Sequence, residues 1–269
     1  LKAAFHRLME MIPPNGTLLV CNEYVAAREV SATARCPVVF YGDKGATGWE
    51  ARNVRVQSGG SLFEPFYRGR SEGEVKIKLL GRYNVNNALA VYATGRELGL
   101  RREILQDSLA TFSGVRRRQE VRGEVGGITV VDDFAHHPTA VKETVEAVRA
   151  AYPGRRLWAV FEPRSNTSRR RIFAHEFPQA LSGADRVVVA GLYLPEKIPE
   201  KDRLSVEEVV REINRLSGDS RAVFIEKTDE IAAYVAAKAN AGDVILVMSN
   251  GGFGGVQERI LRLLEEKRG

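Results

Sequence analysis

Ile-Thr-Val-Val-Asp-Asp-Phe-Ala-His-His-Pro, residues 128–138, decides the fold. Its first half is a short apolar run rich in β-branched residues, the pattern of a buried strand. Two acids and two histidines follow, and Pro138 then stands where the first turn of a helix belongs. Val141, Val145 and Val148 continue at helical spacing, so the segment reads as strand, polar loop and helix in succession.

The same grammar recurs downstream. Strand-like runs fall at Leu157–Phe161, Arg186–Ala190, Ala222–Ile225 and Val244–Met248, with helical stretches between them. Ser205-Val206-Glu207-Glu208 is a capping box for a helix that Gly218 closes. Thr228 or Asp229 is expected to cap the next helix, and Val256–Lys267 forms the last. Strands alternating with helices imply parallel pairing and a doubly wound α/β domain.

Upstream the pattern differs. Residues 1–12 place Phe5, Leu8, Met9 and Ile12 on one helical face, and Thr17–Cys21 and Pro37–Tyr41 read as short strands, the first of them buried. Three strand-like segments, Arg52–Gln57, Leu62–Arg68 and Val75–Leu80, suggest an antiparallel meander. Helices follow at about 84–98 and 102–111. The boundary lies near Phe112–Val115, giving domains of 1–112 and 113–269. At roughly 100–200 residues per domain, 269 residues suit two.

Composition narrows the class. Hydrophobic residues make up 44% and charged residues 28%, enough for a core and unlike a disordered chain. No apolar run approaches the ~18 residues of a membrane span. Cys21 and Cys36 are too few for a disulfide framework, which favours a reducing cytoplasm. The net charge of +6 rests on 30 Arg and only 10 Lys. Arg-favouring codon usage explains such a bias; so does phosphate recognition, because the guanidinium fork fits phosphate oxygens. Position decides between them.

Ligands of doubly wound sheets bind beyond the carboxyl ends of the strands. Asp132, Asp133, His136 and His137 stand there and suit a ribose, a magnesium shell or a carboxylate, whereas zinc lacks ligands at the required spacing. Asp133 as a turn cap with solvated histidines is the plainer alternative. Glu162-Pro163-Arg164-Ser165-Asn166 after the second strand suits bidentate capture of a carboxylate or phosphate, against a mobile basic loop. Ser249-Asn250-Gly251-Gly252 leads into the last helix and allows close backbone approach to an anion, against a simple tight turn. Neither it nor Gly42-Asp43-Lys44-Gly45 is a Walker A loop. Near the boundary, Tyr83, Asn84 and Asn87 open a helix where amides can read a base edge, and Arg116-Arg117-Arg118 forms a cationic run. An amide-rich helix cap and a solvated charge run are the alternatives.

In this order and at these intervals, the segments resemble the Mur ligases of peptidoglycan synthesis. The stretches 161–167 and 248–255 resemble the branch that joins UDP-N-acetylmuramate to the recycled murein tripeptide L-Ala-γ-D-Glu-meso-diaminopimelate, rather than the branch that adds L-alanine. The resemblance implies a partial central ATPase domain followed by a Rossmann-like C-terminal domain. It implies that ATP and Mg2+ convert the sugar's lactyl carboxylate to an acyl phosphate, which the peptide amine attacks. It assigns Tyr83, Asn84 and Asn87 to the adenine, Asp133 to the ribose and Arg118 to the γ-phosphate, with Arg117 as second choice. His136 and His137 face the amine; Arg164, Ser165, Asn166, Asn250 and Gly251 receive the peptide.

The phosphate loop and the magnesium ligands are expected upstream of Leu1, so no metal ligand is assigned within this chain and no ATP turnover is expected from it alone. Partners are the small-molecule substrates, with no nucleic acid and no membrane. Two readings compete: a non-catalytic peptide-binding module, and a nucleic-acid binder suggested by a pI near 9.4. Against the second, the arginines gather at strand ends and the boundary rather than along one helix face.

Overall fold

The computed structural model describes residues 2–42, 48–57 and 59–268. Asp43, Lys44 and Gly45 therefore lie outside the described residues. The chain divides into two compact units, Leu1–Ser113 and Gly114–Gly269.

The first unit runs α1 (Lys2–Met11), β1 (Leu18–Cys21), α2 (Val25–Ser31), β2 (Val38–Gly42), β3 (Trp49–Gln57), β4 (Gly60–Tyr67), β5 (Arg70–Ser71), β6 (Val75–Ile77), α3 (Arg82–Glu97) and α4 (Arg102–Thr111). β1, β2 and β3 pair in parallel, while β4 runs antiparallel to β3, β5 and β6. The expected antiparallel segments are present, but β4 is shared by all three partners, so the arrangement is not a simple meander. Trp49, Phe63, Val75, Ile77, Leu89 and Tyr92 form the core against α3 and α4.

One expectation is corrected, and two features were not expected. In α1 only Met9 is buried; Phe5 and Leu8 are 47% exposed and line an apolar hollow with Leu18 and Val30. Helical periodicity identifies an apolar face but not the layer that covers it. β1 is likewise only half-buried, with Val20 its single buried residue. The short α2 escaped sequence reading because its N-cap, Tyr24, offers no side-chain cap that would mark a start.

The second unit runs β7 (Glu120–Val125), β8 (Ile128–Asp133), α5 (Pro138–Ala151), β9 (Leu157–Phe161), α6 (Glu176–Leu181), β10 (Arg186–Ala190), α7 (Val206–Ser217), β11 (Ala222–Ile225), α8 (Thr228–Lys238), β12 (Val244–Met248) and α9 (Val256–Glu266). Its sheet has the order β11-β10-β9-β12-β8-β7. All neighbours pair in parallel except β7, an antiparallel edge strand on β8. That edge strand was not expected, although Gly126-Gly127, with φ of 63° and 74°, is a hairpin signal.

β8, β9 and β12 are buried along their whole length, as expected for strands covered on both faces. Val141, Val145 and Val148 pack with residues of α6 and α7 on one face; Ile231, Val235, Ile260 and Leu264 of α8 and α9 cover the other. Ser205 caps α7 by accepting the Glu208 N–H at 3.2 Å, and Gly218 closes it. Neither Thr228 nor Asp229 caps α8: Lys227 holds that position without a side-chain bond.

β12 inserts between β8 and β9, so the chain reverses its progress across the sheet there. The loop after β8 leads to a helix on one face, and the loop after β12 to a helix on the other. Diverging loops at such a reversal make the crevice where doubly wound sheets hold ligands.

Candidate functional site

β8 ends on Asp132 and Asp133, both buried. The Asp133 carboxylate accepts the N–H groups of Gln119 (2.8 Å) and Ala135 (2.7 Å), with Thr144 Oγ1 at 3.4 Å. It closes the turn between β8 and α5 and fastens the entry to β7. Burial pushes its carboxyl above the usual carboxylate range, opposed by the two N–H donors and the Arg118 charge. Asp132 takes the Gln257 amide at 2.9 Å and Arg117 Nε at 3.4 Å, and burial raises its carboxyl as well.

The two linker arginines have different tasks. Arg117 Nη2 donates to the carbonyl oxygens of Ser249 and Gly251, and its own carbonyl accepts the Phe134 N–H at 2.8 Å. Together with the Asp132 pair, this staples the start of β7, the end of β8 and the loop after β12. Its guanidinium is thereby engaged inside the unit. Arg118 is exposed, lies 5.2 Å over the Phe134 ring and makes no ion pair among the described residues.

The adjacent histidines also divide. His136 Nδ1 is 3.0 Å from the Phe134 carbonyl oxygen. A carbonyl only accepts, so Nδ1 carries the proton and Nε2 is the basic nitrogen of the neutral ring. His137 is the N-cap of α5, and its Nδ1 accepts the Thr139 N–H at 3.3 Å. Its proton is then on Nε2, and the ring packs 4.7 Å from Phe173. Of the two, only His136 has a free lone pair on the outer nitrogen.

The loops after β9 and β12 interlock. Ser249 Oγ donates to Glu162 Oε2 at 2.5 Å, and Glu162 Oε1 pairs with Arg164 Nη1 at 3.5 Å. The Arg164 guanidinium stacks on Tyr193, 3.5 Å from the ring centroid. It also lies against Gly251: a Cβ there would come within 1.9 Å of Arg164 Nε. A larger residue at 251 would displace the arginine from this position. Beside it, Asn250 Oδ1 is buried with no hydrogen-bond partner among the described residues, a cost of about 1–3 kcal/mol unless a donor arrives.

Ser165 and Asn166 both have internal hydrogen bonds. Ser165 Oγ accepts the Ser168 N–H at 3.0 Å and bonds Ser168 Oγ at 2.8 Å. Asn166 Oδ1 accepts Arg169 Nη2 at 2.8 Å. Both close the turn that positions Arg164. The physical reason is that hydroxyl and amide side chains after a strand satisfy their own turn first.

In the first unit, Asn84 is buried and its amide donates to the Leu80 carbonyl at 2.8 Å, so it fixes the start of α3. Asn87 is exposed and donates to Asn84 Oδ1 at 3.4 Å; Tyr83 is half-buried. No group of three or more His, Cys, Asp or Glu residues suited to a metal ion occurs among the described residues.

Sequence reading passed over the roles of Glu162, Arg169 and Tyr193. Glu162 stood directly after a strand, which was a usable signal. Tyr193 carried none, being an isolated aromatic in a loop.

The comparisons with known proteins follow this division. Residues 1–95 match the model of the Mur ligase middle domain, and residues 117–251 that of the Mur ligase glutamate ligase domain. The chain belongs to the Mur ligase family. Among its family relatives, the UDP-N-acetylmuramate–L-alanyl-γ-D-glutamyl-meso-2,6-diaminoheptandioate ligase of Escherichia coli is 34% identical over 98% of this chain and 54% of that protein. The UDP-N-acetylmuramate–L-alanine ligase of Endomicrobium trichonymphae is 31% identical over 98% of this chain and 57% of its own length. The crystal structure of the UDP-N-acetylmuramate–alanine ligase of Thermotoga maritima shares the fold, with a TM-score of 0.79 at 22% identity over 99% of this chain and 55% of that one. The chain thus spans about half the length of the relatives it matches. No helix among the described residues is long and apolar enough to cross a membrane.

Proposed function

We propose that the chain is the catalytic and peptide-receiving portion of an ATP-dependent ligase that joins UDP-N-acetylmuramate to the murein tripeptide L-Ala-γ-D-Glu-meso-diaminopimelate. The observation that carries this reading is the interlock of the two loops. The stretches 161–167 and 248–255, each resembling the tripeptide-adding branch, meet as one unit in which Arg164 is clamped by Glu162, Tyr193 and Gly251. A guanidinium held in this way is a preorganised receptor for a peptide carboxylate. The unpartnered Asn250 oxygen beside it suits a peptide N–H.

In this reading Arg118 reaches the γ-phosphate, and its freedom from internal ion pairs supports that role over Arg117. His136 Nε2 takes the proton released when the peptide amine attacks the acyl phosphate. Tyr83 and Asn87 meet the adenine, while Asn84 positions Asn87. Asp133 orients the turn through which a ribose is approached. That Cys21 and Cys36 form no disulfide among the described residues accords with a cytoplasmic setting.

A second reading, addition of L-alanine, is favoured by relatives of that name at 31–32% identity. Phosphate release by the full-length enzyme, assayed with UDP-N-acetylmuramate, ATP and either L-alanine or the tripeptide, decides between them. Turnover with the tripeptide alone supports the proposal; turnover with L-alanine alone overturns it.

A further inference from the structure

Arg169 is 6% exposed and makes no ion pair among the described residues. A guanidinium taken out of water without a carboxylate must be carried by its hydrogen bonds. Nε donates to the Ser165 carbonyl at 3.3 Å and Nη2 to Asn166 Oδ1 at 2.8 Å, both in the loop after β9. Nη1 crosses to the loop after β10, where it donates to the carbonyls of Tyr193 (2.6 Å) and Leu194 (3.1 Å). The stem is fixed as well. The Arg169 N–H donates to the Ser165 carbonyl at 3.2 Å, and its own carbonyl accepts the Leu204 N–H at 2.9 Å.

The loop after β10 depends on that grip. The Tyr193 N–H reaches the Pro163 carbonyl at 3.4 Å, a long bond. Leu194 stands in the left-handed region, with φ of 48° and ψ of 60°, a conformation that a bulky side chain keeps only where its surroundings impose it. The two carbonyls that Nη1 takes flank those two torsions. A relaxed Leu194 would turn both away from Arg169.

Tyr193 passes the grip on to Arg164, whose guanidinium carbon lies 3.5 Å from the centroid of its ring. The Glu162–Arg164 pair, at 3.5 Å, is too long to fix the guanidinium plane by itself, and the ring face supplies that constraint. We infer that Arg169 is a positioning residue for Arg164. It holds the Tyr193–Leu194 backbone so that the Tyr193 ring sets the plane and reach of the receiving arginine. This inference rests on the reading above in which Arg164 takes a carboxylate of the incoming amine substrate. Arg169 acts through Tyr193 and is not itself a substrate contact.

Steady-state kinetics of the full-length enzyme test it, with phosphate release as readout and the murein tripeptide and ATP varied in turn. Arg169→Gln should raise the KM for the tripeptide about tenfold and leave the KM for ATP within about twofold. Arg169→Lys, whose ammonium still reaches the two carbonyls, should restore most of that loss. Tyr193→Leu should reproduce the Arg169→Gln effect, and Tyr193→Phe, which keeps the ring, should stay near the parent. Combining Tyr193→Leu with Arg169→Gln should add less than about twofold, because both remove one contact. A purely structural arginine would lower kcat through the active fraction and leave each KM in place. That result, or full additivity of the two variants, overturns the assignment. Should Arg169→Gln fail to fold, Tyr193→Leu and Asn166→Ala decide: a raised tripeptide KM in both supports it, and an unchanged one overturns it. Parent turnover with L-alanine alone overturns the tripeptide reading, and the KM for L-alanine in the same variants then tests Arg169, so the two failures stay distinct.

Discussion

The two edges of the C-terminal sheet use the same residue types to opposite ends. At the amino edge, Asp243 accepts Arg156 Nη2 (2.6 Å), Trp158 Nε1 (2.9 Å) and the Asn240 N–H (3.0 Å). Burial pushes its carboxyl upward, but these donors outweigh burial and hold it below the usual range. Arg155 is equally satisfied, donating to Gly127, Gly242 and Asp243 carbonyls and Thr129 Oγ1. At the carboxyl edge, burial wins at Asp132 and Asp133, and among the described residues Arg118 has no ion pair and Asn250 Oδ1 no donor.

Backbone strain sorts the same way. The left-handed non-glycine residues described in this unit, Arg117, Gln119, Leu194 and Phe253, all stand at the carboxyl edge. The left-handed positions at the amino edge, Gly126, Gly127, Gly154 and Gly242, are glycines, which adopt that conformation at little cost. One edge is saturated for stability; the other is left under tension for a ligand.

Removing a saturated group should therefore hurt stability most. Asp243→Ala should destabilise by about 3 kcal/mol in denaturant unfolding, since it orphans Arg156 and Trp158 together. A loss under 1 kcal/mol would erase the contrast between the edges. Arg117→Ala should cost about 2 kcal/mol by unstapling three segments of the carboxyl edge.

The pH dependence sharpens the comparison because the shifts have opposite sign. The folded-state value for Asp243 is depressed below 3.8, so its stabilisation is present above that pH and lost as pH falls through the folded value. Asp132 is raised above 3.8, so the penalty it imposes at neutral pH is relieved as pH falls through its folded value toward 3.8. Asp243→Asn should flatten the acid loss of stability, and Asp132→Asn should remove a gain on mild acidification. Unfolding free energies between pH 3 and 7 check both.

Smaller effects follow. His137→Ala removes the α5 cap and should cost about 1 kcal/mol, with most of it restored by His137→Asn. Arg118→Ala should change stability by less than about 0.5 kcal/mol, yet slow phosphoryl transfer in the full-length enzyme by about 10²-fold. An equal effect of Arg117→Ala and Arg118→Ala on both readouts would contradict the division of labour between them.

The strands of the C-terminal unit were legible because burial on both faces leaves unbroken apolar runs with Pro, Ser and Gly at their ends. The antiparallel β7 was not, since Glu120, Arg122 and Glu124 carry no apolar run. At the site, Arg164, Asn250 and Gly251 were legible from their place after strands. What Ser165 and Asn166 do was not, because the choice between a ligand and the local turn depends on where Ser168 and Arg169 fold back.

The central claim is that the carboxyl edge alone receives the peptide. Titrating the 15N-labelled chain with the murein tripeptide, and following backbone amide shifts, tests it most directly. Saturable shifts should gather at Arg164, Asn250 and Gly251, with Gly127, Gly242 and Asp243 unmoved. Saturable shifts centred on the amino edge, or none anywhere, would contradict the account.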